Sequence, residues 1–265
     1  MNKRLIVNAD DFGMDPYCSE AIIELASLNL LSSTTILANL CSQDYLNAIT
    51  HLPISTGIHV NLIEGKPLSS SEKVTSLIDK NGYFKSSARL LFDFVSGKIN
   101  SIHIENEITA QYNYLKSHGV NISHADSHQH IHIYPYLGSI ILAVLKKLGC
   151  QKIRSCHVTS YVDMRMAIVK IFQMIQSKEL DYFAHPDGLV PTFSTEKNAT
   201  LKHFENSIHA AFKNTSTIEF MTHPATENNT NSYLNKKAEY DFWKNEIWKE
   251  YLLRNDIELI NYHQL

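Results

Sequence analysis

Short runs of branched apolar residues alternate with amphipathic stretches along the whole 265-residue chain. The short runs are typical of buried strands, and apolar residues recurring every three to four positions are typical of helices. Alternating strands and helices favour parallel βα units over an antiparallel fold. Strands are predicted at 5–9, 33–37, 55–62, 120–125, 151–154, 217–221 and 258–260, and helices at 16–29, 102–116, 136–148, 164–176, 201–212 and 236–253.

This order of elements predicts one α/β domain over residues 1–265, because no linker and no fixed-period repeat divides the chain. We expect a single TIM-barrel-like (β/α) barrel, with fewer than eight strands allowed, and a doubly wound open sheet is the alternative. The stretch 64–97 loosens the pattern, and its Asn81-Gly82 pair is a strong turn signal for a small hairpin. We expect this excursion to form a lid or a substrate wall.

Charge and composition exclude several kinds of partner. The net charge is −3 and no Lys/Arg run occurs, which argues against nucleic acid. No apolar run approaches the roughly 20 residues that span a bilayer, so no membrane partner is expected. The four cysteines form no CxxC pair, and no signal peptide is recognised, so we expect a cytoplasmic enzyme with reduced thiols. A homodimer is assumed for such an enzyme, although no residue pattern specifies it.

Fourteen histidines are many for this length, and the informative ones follow predicted strands. Asp10 and Asp11 follow the first strand, His59 lies near the end of the third, and His223 and Arg154 follow later ones. Active sites of parallel barrels lie at these strand ends. Taken singly, each residue has a structural alternative: a solvated turn, a hydrogen-bonded core histidine, a loop histidine before proline, or a surface charge.

The densest cluster runs from His124 to His132. If the strand continues through it, Asp126, His128, His130 and His132 share one face, since strand side chains alternate. Such a group makes sense around a cation, or as residues that orient its ligands. An aspartate and two histidines from separate strands together predict a three-ligand metal site with an open, catalytic position.

The motifs in their order resemble the YdjC-like carbohydrate deacetylases, the family of the chitooligosaccharide deacetylases. They span most of the chain, and the match weakens after Arg154. The matching segments are Asn8–Gly13 (NADDFG), Ser33–Thr35, Gly57–His59, Gly65–Leu68, Asp126–His132 (DSHQHIH) and His223–Ala225.

The resemblance implies a TIM-barrel-like fold, one divalent metal ion, and hydrolysis of the N-acetyl group of a glucosamine-type sugar or oligosaccharide. By position, Asp11, His59 and His128 match the family's metal ligands, Asp10 the general base, and His223 an active-site histidine, which we expect to act as the acid. The choice of His128 over its neighbours comes from the resemblance alone. The remaining candidates, expected to bind substrate or orient ligands, are Arg154, Asp126, His130 and His132.

The metal and the reaction leave alternatives. Two imidazoles favour zinc, cobalt or nickel, whereas the resemblance points at least as much to magnesium. A metal-dependent phosphoesterase or another amidohydrolase could use the same site, but a phosphatase needs several cations, and only Arg154 and Lys66 are candidates. A non-enzymatic sugar-binding protein ranks lowest, because Asp10 and all three ligands are present.

Overall fold

A computed structural model describes residues 2–159, 164–175, 177–191, 193, 199–228 and 234–265. Its strands are β1 (Lys3–Phe12), β2 (Ser33–Ile36), β3 (Ser55–Val60), β4 (Ile122–Ser127), β5 (Gly188–Val190), β6 (Thr217–Thr222) and β7 (Ile257–Leu259). Its helices are α1 (Pro16–Ser27), α2 (Gln43–Ile49), α3 (Ser87–Val95), α4 (Ser101–Ser117), α5 (Leu137–Lys147), α6 (Met164–Ile175), α7 (Ser177–Leu180), α8 (Leu201–Ala211), α9 (Lys236–Lys244) and α10 (Ile247–Arg254).

The strands form one curled parallel sheet in the order β4-β3-β2-β1-β6-β5, with β7 beside the start of β1. The extended segment 152–158 lies between the two edge strands. Parallel bridges join its Ile153 to Ala125 of β4 and its Val158 to Leu189 of β5. The TIM-barrel-like prediction with fewer than eight strands is therefore confirmed, and the open doubly wound alternative is wrong.

Helix α1 shows how local sequence signals set the elements that flank the barrel. The Asp15 side chain accepts a hydrogen bond from the Cys18 amide at 2.8 Å, and Pro16 occupies the first turn. Ala21, Ile22 and Leu25 are buried against the sheet. The cap and the first-turn proline fix where α1 begins, and its apolar face fixes which side packs against the sheet.

The predicted single helix over 236–253 is wrong, because the chain breaks between α9 and α10 at Glu246, whose φ is 39°. Trp243 and Trp248 are both fully buried. On one continuous helix, residues five positions apart point about 140° away from each other. The break lets both indoles enter the core, and Trp248 Nε1 donates to the Trp243 carbonyl at 3.0 Å.

The excursion 64–97 contains more structure than its sequence pattern indicated. An antiparallel bridge joins Ile78 to Phe84 around Gly82, whose φ is 79°, so the predicted small hairpin is confirmed. Helix α3 follows the hairpin and was not predicted, nor were α2 and β5. No helix within the described ranges combines the length and apolarity needed to cross a bilayer.

Candidate active site and metal centre

The carboxyl ends of β1, β3, β4 and β6 bring the acidic and histidine residues together, as the barrel rule predicts. Residues His59 and Asp126 are direct partners in the register of β3 and β4. On the other side, Ala9 of β1 pairs with Thr222 of β6, next to His223. The side chains of His59, Asp126 and His223, and the two aspartates after Ala9, therefore reach the site from four different strands.

A bulge in β1 directs two consecutive carboxylates into the site. The pairing of β1 with β2 shifts register between Ala9 and Phe12, and Asp11 has a φ of 66°. In a regular strand neighbouring side chains point to opposite faces, whereas a bulge re-aims one of them. Asp10 and Asp11 are both buried as a result.

Asp11, His59 and His128 form a group with the geometry of a divalent cation site. The Asp11 Oδ1 atom lies 3.5 Å from His59 Nε2 and 3.1 Å from His128 Nδ1. Ligands bound at about 2.1 Å around one ion are separated by about 3.0–3.4 Å, depending on its coordination number. Both separations from Asp11 are close to this range, and all three ligand atoms lie within 4.8 Å of one another, so these residues could hold one metal ion.

Asp126 orients the His59 ring toward that group. Its Oδ1 lies 2.6 Å from His59 Nδ1, and its Oδ2 accepts from Thr35 Oγ1 at 3.1 Å. Burial lowers the pKa of His59, but the Asp126 charge and the hydrogen bonds of Asp11 and Asp126 raise it overall, to about 10. A metal ion bound at Nε2 would replace the proton on that nitrogen, and the Asp126 carboxylate would keep the other proton on Nδ1.

A second grouping of Asp10, His59 and Asp126 is also close enough for an ion. The Arg154 guanidinium already joins its two carboxylates, because Nη1 lies 2.6 Å from Asp10 Oδ2 and 2.9 Å from Asp126 Oδ2. His59 Nδ1 is engaged by Asp126 as well. The Asp11 group is the better metal site for both reasons.

Arg154 is fully buried and connects three carboxylates from three strands. Both of its terminal nitrogens donate to Asp10 at 2.6 Å, and Nε and Nη2 donate to Glu219 at 2.9 and 2.6 Å. Burial raises the pKa of Asp10, but the Arg154 charge and hydrogen bond outweigh it and hold that pKa far below its usual range. Asp10 is therefore held in its ionised form near neutral pH.

The buried carboxylates of the site outnumber its permanent cations. Asp10, Asp11, Asp126 and Glu219 are buried carboxylates, and they face the cations Arg154 and Lys236. When all four carboxylates are ionised and the His59 imidazole is neutral, two negative charges remain; burial raises the pKa of Glu219, and a proton on that carboxyl would lower the count by one. Uncompensated buried charge is costly, and a divalent ion balances this charge.

His223 follows β6 and approaches Asp10 rather than the metal group. Its Nε2 lies 3.9 Å from Asp10 Oδ2, and its backbone amide donates to Glu239 at 2.7 Å. The buried Nδ1 atom has no hydrogen-bond partner in the part of the chain that the structure describes. The imidazole thus has one nitrogen directed at the Asp10 carboxylate.

The strand does not continue through His132, so the condition under which Asp126, His128, His130 and His132 would share one face is not met. Strand β4 ends at Ser127, and a 3₁₀ segment, His128–Ile133, follows with positive φ at Gln129 and His130. His128 alone joins the metal group.

His130 and His132 instead flank Cys156, at 3.8 and 3.6 Å from its Sγ. His132 Nδ1 also lies 2.6 Å from Ser127 Oγ. Burial lowers the pKa of His130 to about 3, so this imidazole stays neutral beside the site.

Four contributors to the site were not singled out from the sequence. Glu219 lies inside an apolar strand, where a buried carboxylate is itself a signal. Lys236 and Glu239 lie on α9, and no sequence feature separates them from solvent-facing charges of an amphipathic helix. Thr35 belongs to the Ser33–Thr35 motif, but the sequence indicates no role for its hydroxyl.

A model of the family described as YdjC-like protein matches residues 4–254. The chain is 38% identical to a carbohydrate deacetylase of Thermoanaerobacter pseudethanolicus over 133 residues, 48% of this chain and 51% of that relative. The match thus spans about half the length of that relative. Carbohydrate deacetylase 1 of Listeria innocua is 26% identical over 99% of this chain and 100% of its own length.

One solved structure is superimposable over nearly all of both chains. It is a candidate cellobiose-phosphate cleavage protein of Enterococcus faecalis, with a TM-score of 0.82, 24% identity, and coverage of 100% of this chain and 99% of that chain. At this identity the likeness supports the fold alone.

Proposed function

Because the chain belongs to the YdjC-like protein family, we propose that it is a metal-dependent hydrolase that removes the acetyl group from an N-acetylated amino sugar of the chitooligosaccharide type, releasing acetate. One observation carries the proposal. Asp11, His59 and His128 lie close enough together to hold one ion, and Asp10 and His223 lie beside them, which supports roles for these two as base and acid.

In this proposal Asp11 Oδ1, His59 Nε2 and His128 Nδ1 hold one divalent ion, magnesium or zinc. A bound ion supplies Lewis acidity to the amide carbonyl and to a water molecule. The two imidazoles favour zinc by ligand softness, and the carboxylate suits either ion. Asp126 keeps the His59 ring in place through the 2.6 Å contact at Nδ1.

Asp10 accepts the proton of the attacking water. Arg154 keeps this carboxylate ionised, so it is ready to accept, but it also makes the carboxylate a weak base. Nε2 of His223 lies 3.9 Å from Asp10 Oδ2, which is too far for a direct hydrogen bond, so in this proposal a bridging water carries the proton from Asp10 to His223. His223 then protonates the leaving amine, which an amide requires in order to break.

The phosphoesterase alternative has less support. Holding a phosphate needs cationic donors that are free to turn toward the ligand. Arg154 is fully buried and donates to Asp10 and Glu219, and Lys66 lies over the Tyr83 ring at 4.9 Å. We therefore assign Arg154 the role of orienting Asp10, and Asp126 the role of orienting His59.

The cytoplasmic location and the homodimer stay predictions.

The direct test is acetate release from N,N′-diacetylchitobiose by the purified protein. We expect release that stops with EDTA and returns when magnesium or zinc is added back. Release that is insensitive to EDTA would contradict the metal assignment. Fully metal-loaded protein that releases no acetate from this or other N-acetylated sugars, but does release phosphate from simple esters, would favour the alternative.

A further inference from the structure

Helix α9 directs two charged residues of opposite sign into the molecule. Lys236 and Glu239 are 3% and 1% exposed, and they lie three positions apart on one face of the helix. Burying a charge is costly unless it has a partner, so both residues need a reason to be there. Neither is part of the candidate metal group or of the proposed acid–base pair.

Lys236 is bound to the metal ligand itself. Its Nζ donates to Asp11 Oδ2 at 3.1 Å, and its other contacts are the sulfur atoms of Cys18 at 3.4 Å and Met14 at 3.8 Å. Since Asp11 Oδ1 is the atom that faces His59 and His128, Lys236 occupies the oxygen that points away from the metal group. Asp11 is thereby left with one oxygen to offer.

Glu239 is bound to the start of the segment that carries His223. Its Oε2 accepts from Thr222 Oγ1 at 2.5 Å and from the His223 amide at 2.7 Å. Trp243, one turn further along α9, donates to the same Thr222 hydroxyl at 2.7 Å. The helix therefore fixes the backbone from which the His223 imidazole extends toward Asp10.

We propose that α9 positions both halves of the site: Lys236 restricts Asp11 to binding the metal through one oxygen, and Glu239 sets the position of His223. The inference rests on the proposed function. Both are positioning residues, since neither lies against the reacting atoms. An ammonium beside a ligand also repels the ion, so Lys236 weakens metal binding while it fixes the ligand.

The first test replaces Lys236 by Met and measures the dissociation constant for Zn²⁺ by competition with a chelator. We expect binding tighter by about tenfold or more, because a like charge close to the ion is removed. Lys237→Met is the matched control, since Lys237 is partly exposed and pairs with Asp241. If Lys236→Met does not fold, Lys236→Gln removes the same charge. Unchanged or weaker zinc binding in the folded variant would overturn this half of the proposal.

The second test compares Glu239→Ala with Glu239→Gln at metal saturation. The Gln oxygen can accept both hydrogen bonds, so we expect Glu239→Gln to retain kcat within about fivefold, while Glu239→Ala loses about tenfold or more. We expect KM and the zinc dissociation constant to stay within about threefold in both variants, since Asp11 and its partners are untouched. Glu250→Gln, an exposed change on α10, is the control.

Equal loss of kcat in Glu239→Ala and Glu239→Gln, or weaker zinc binding in either, would contradict a role through His223. If the wild-type protein releases no acetate from any N-acetylated sugar, the proposed function fails. The zinc measurement on Lys236→Met still decides the role of that residue, so the two failures are distinguishable.

Discussion

Replacing Asp10 by Asn tests the assignment of the base with the least change of shape. Asp10 accepts from Asn8 Nδ2 at 2.8 Å and from two Arg154 nitrogens at 2.6 Å. An asparagine has one acceptor oxygen, so one of the Arg154 donors loses its partner, while Arg154 keeps Asp126 and Glu219. Losing one hydrogen bond to a charged group costs about 1.5–3 kcal/mol, which lowers Tm by roughly 5 °C in a chain of this size.

The effect on turnover should be much larger than the effect on folding. Removing a general base costs about 10²-fold or more in kcat, or ~2.7 kcal/mol of transition-state stabilisation. Asp10 is outside the Asp11 group, so Asp10→Asn should still bind metal at saturating concentration. The variant should therefore be folded, metal-loaded and nearly inactive.

The assay is acetate release from N,N′-diacetylchitobiose at saturating metal, well below the Tm of the variant, with bound metal measured on the same sample. Asp44→Asn, an exposed change in the first turn of α2, is the control. If Asp10→Asn kept more than about one third of the wild-type kcat, Asp10 could not be the base, since the loss of a general base costs about 10²-fold or more.

Three further predictions concern the metal group and its supports. Asp11→Asn or His59→Ala should abolish both metal binding and acetate release, and stoichiometric metal in either purified variant would refute the ligand set. Burial lowers the pKa of His59, but Asp126 and Asp11 raise it to about 10. The stability from the charged imidazole is thus fully present below its unfolded-state pKa of about 6.5 and is lost as pH rises toward 10. Chelated protein should melt at least about 3 °C lower at pH ~9.5 than at pH ~6, and an equal or higher Tm at the alkaline pH would contradict this. Arg154→Met should destabilise the fold by about 3–5 kcal/mol in urea titrations, because it leaves buried carboxylates without their cation, and a loss below about 1 kcal/mol would show that the network is not needed.

The alternation of strands and helices predicted the fold and the meeting of residues at the strand ends, whereas the family resemblance named the three expected metal ligands. Parallel strands place their carboxyl ends at one end of a barrel, so residues such as Asp11 and His59 had to meet once the βα alternation was recognised. The choice among His128, His130 and His132 did not follow from strand periodicity, because the strand ends before all three of them. There the family resemblance selected His128, which the structure brings to Asp11.

The remaining features depended on tertiary contacts that no local pattern encodes. Glu246 breaks a stretch whose apolar spacing suits one helix, and the gain comes from burying Trp243 and Trp248 together. Lys236 and Glu239 are ordinary charges of an amphipathic helix until α9 packs against the site. The partners of Lys236 and Glu239 are far away in sequence or belong to another element, so local propensity does not predict these contacts.

The buried guanidinium of Arg154 contacts both the proposed general base and carboxylates that belong to the core of the barrel. It joins carboxylates on β1, β4 and β6, and one of these is the Asp10 carboxylate of the proposed mechanism. We therefore expect a substitution at this position to change folding and reactivity together. The segment 64–97 supplies none of these carboxylates, so we expect exchanges of its residues to disturb the barrel less than exchanges at Arg154.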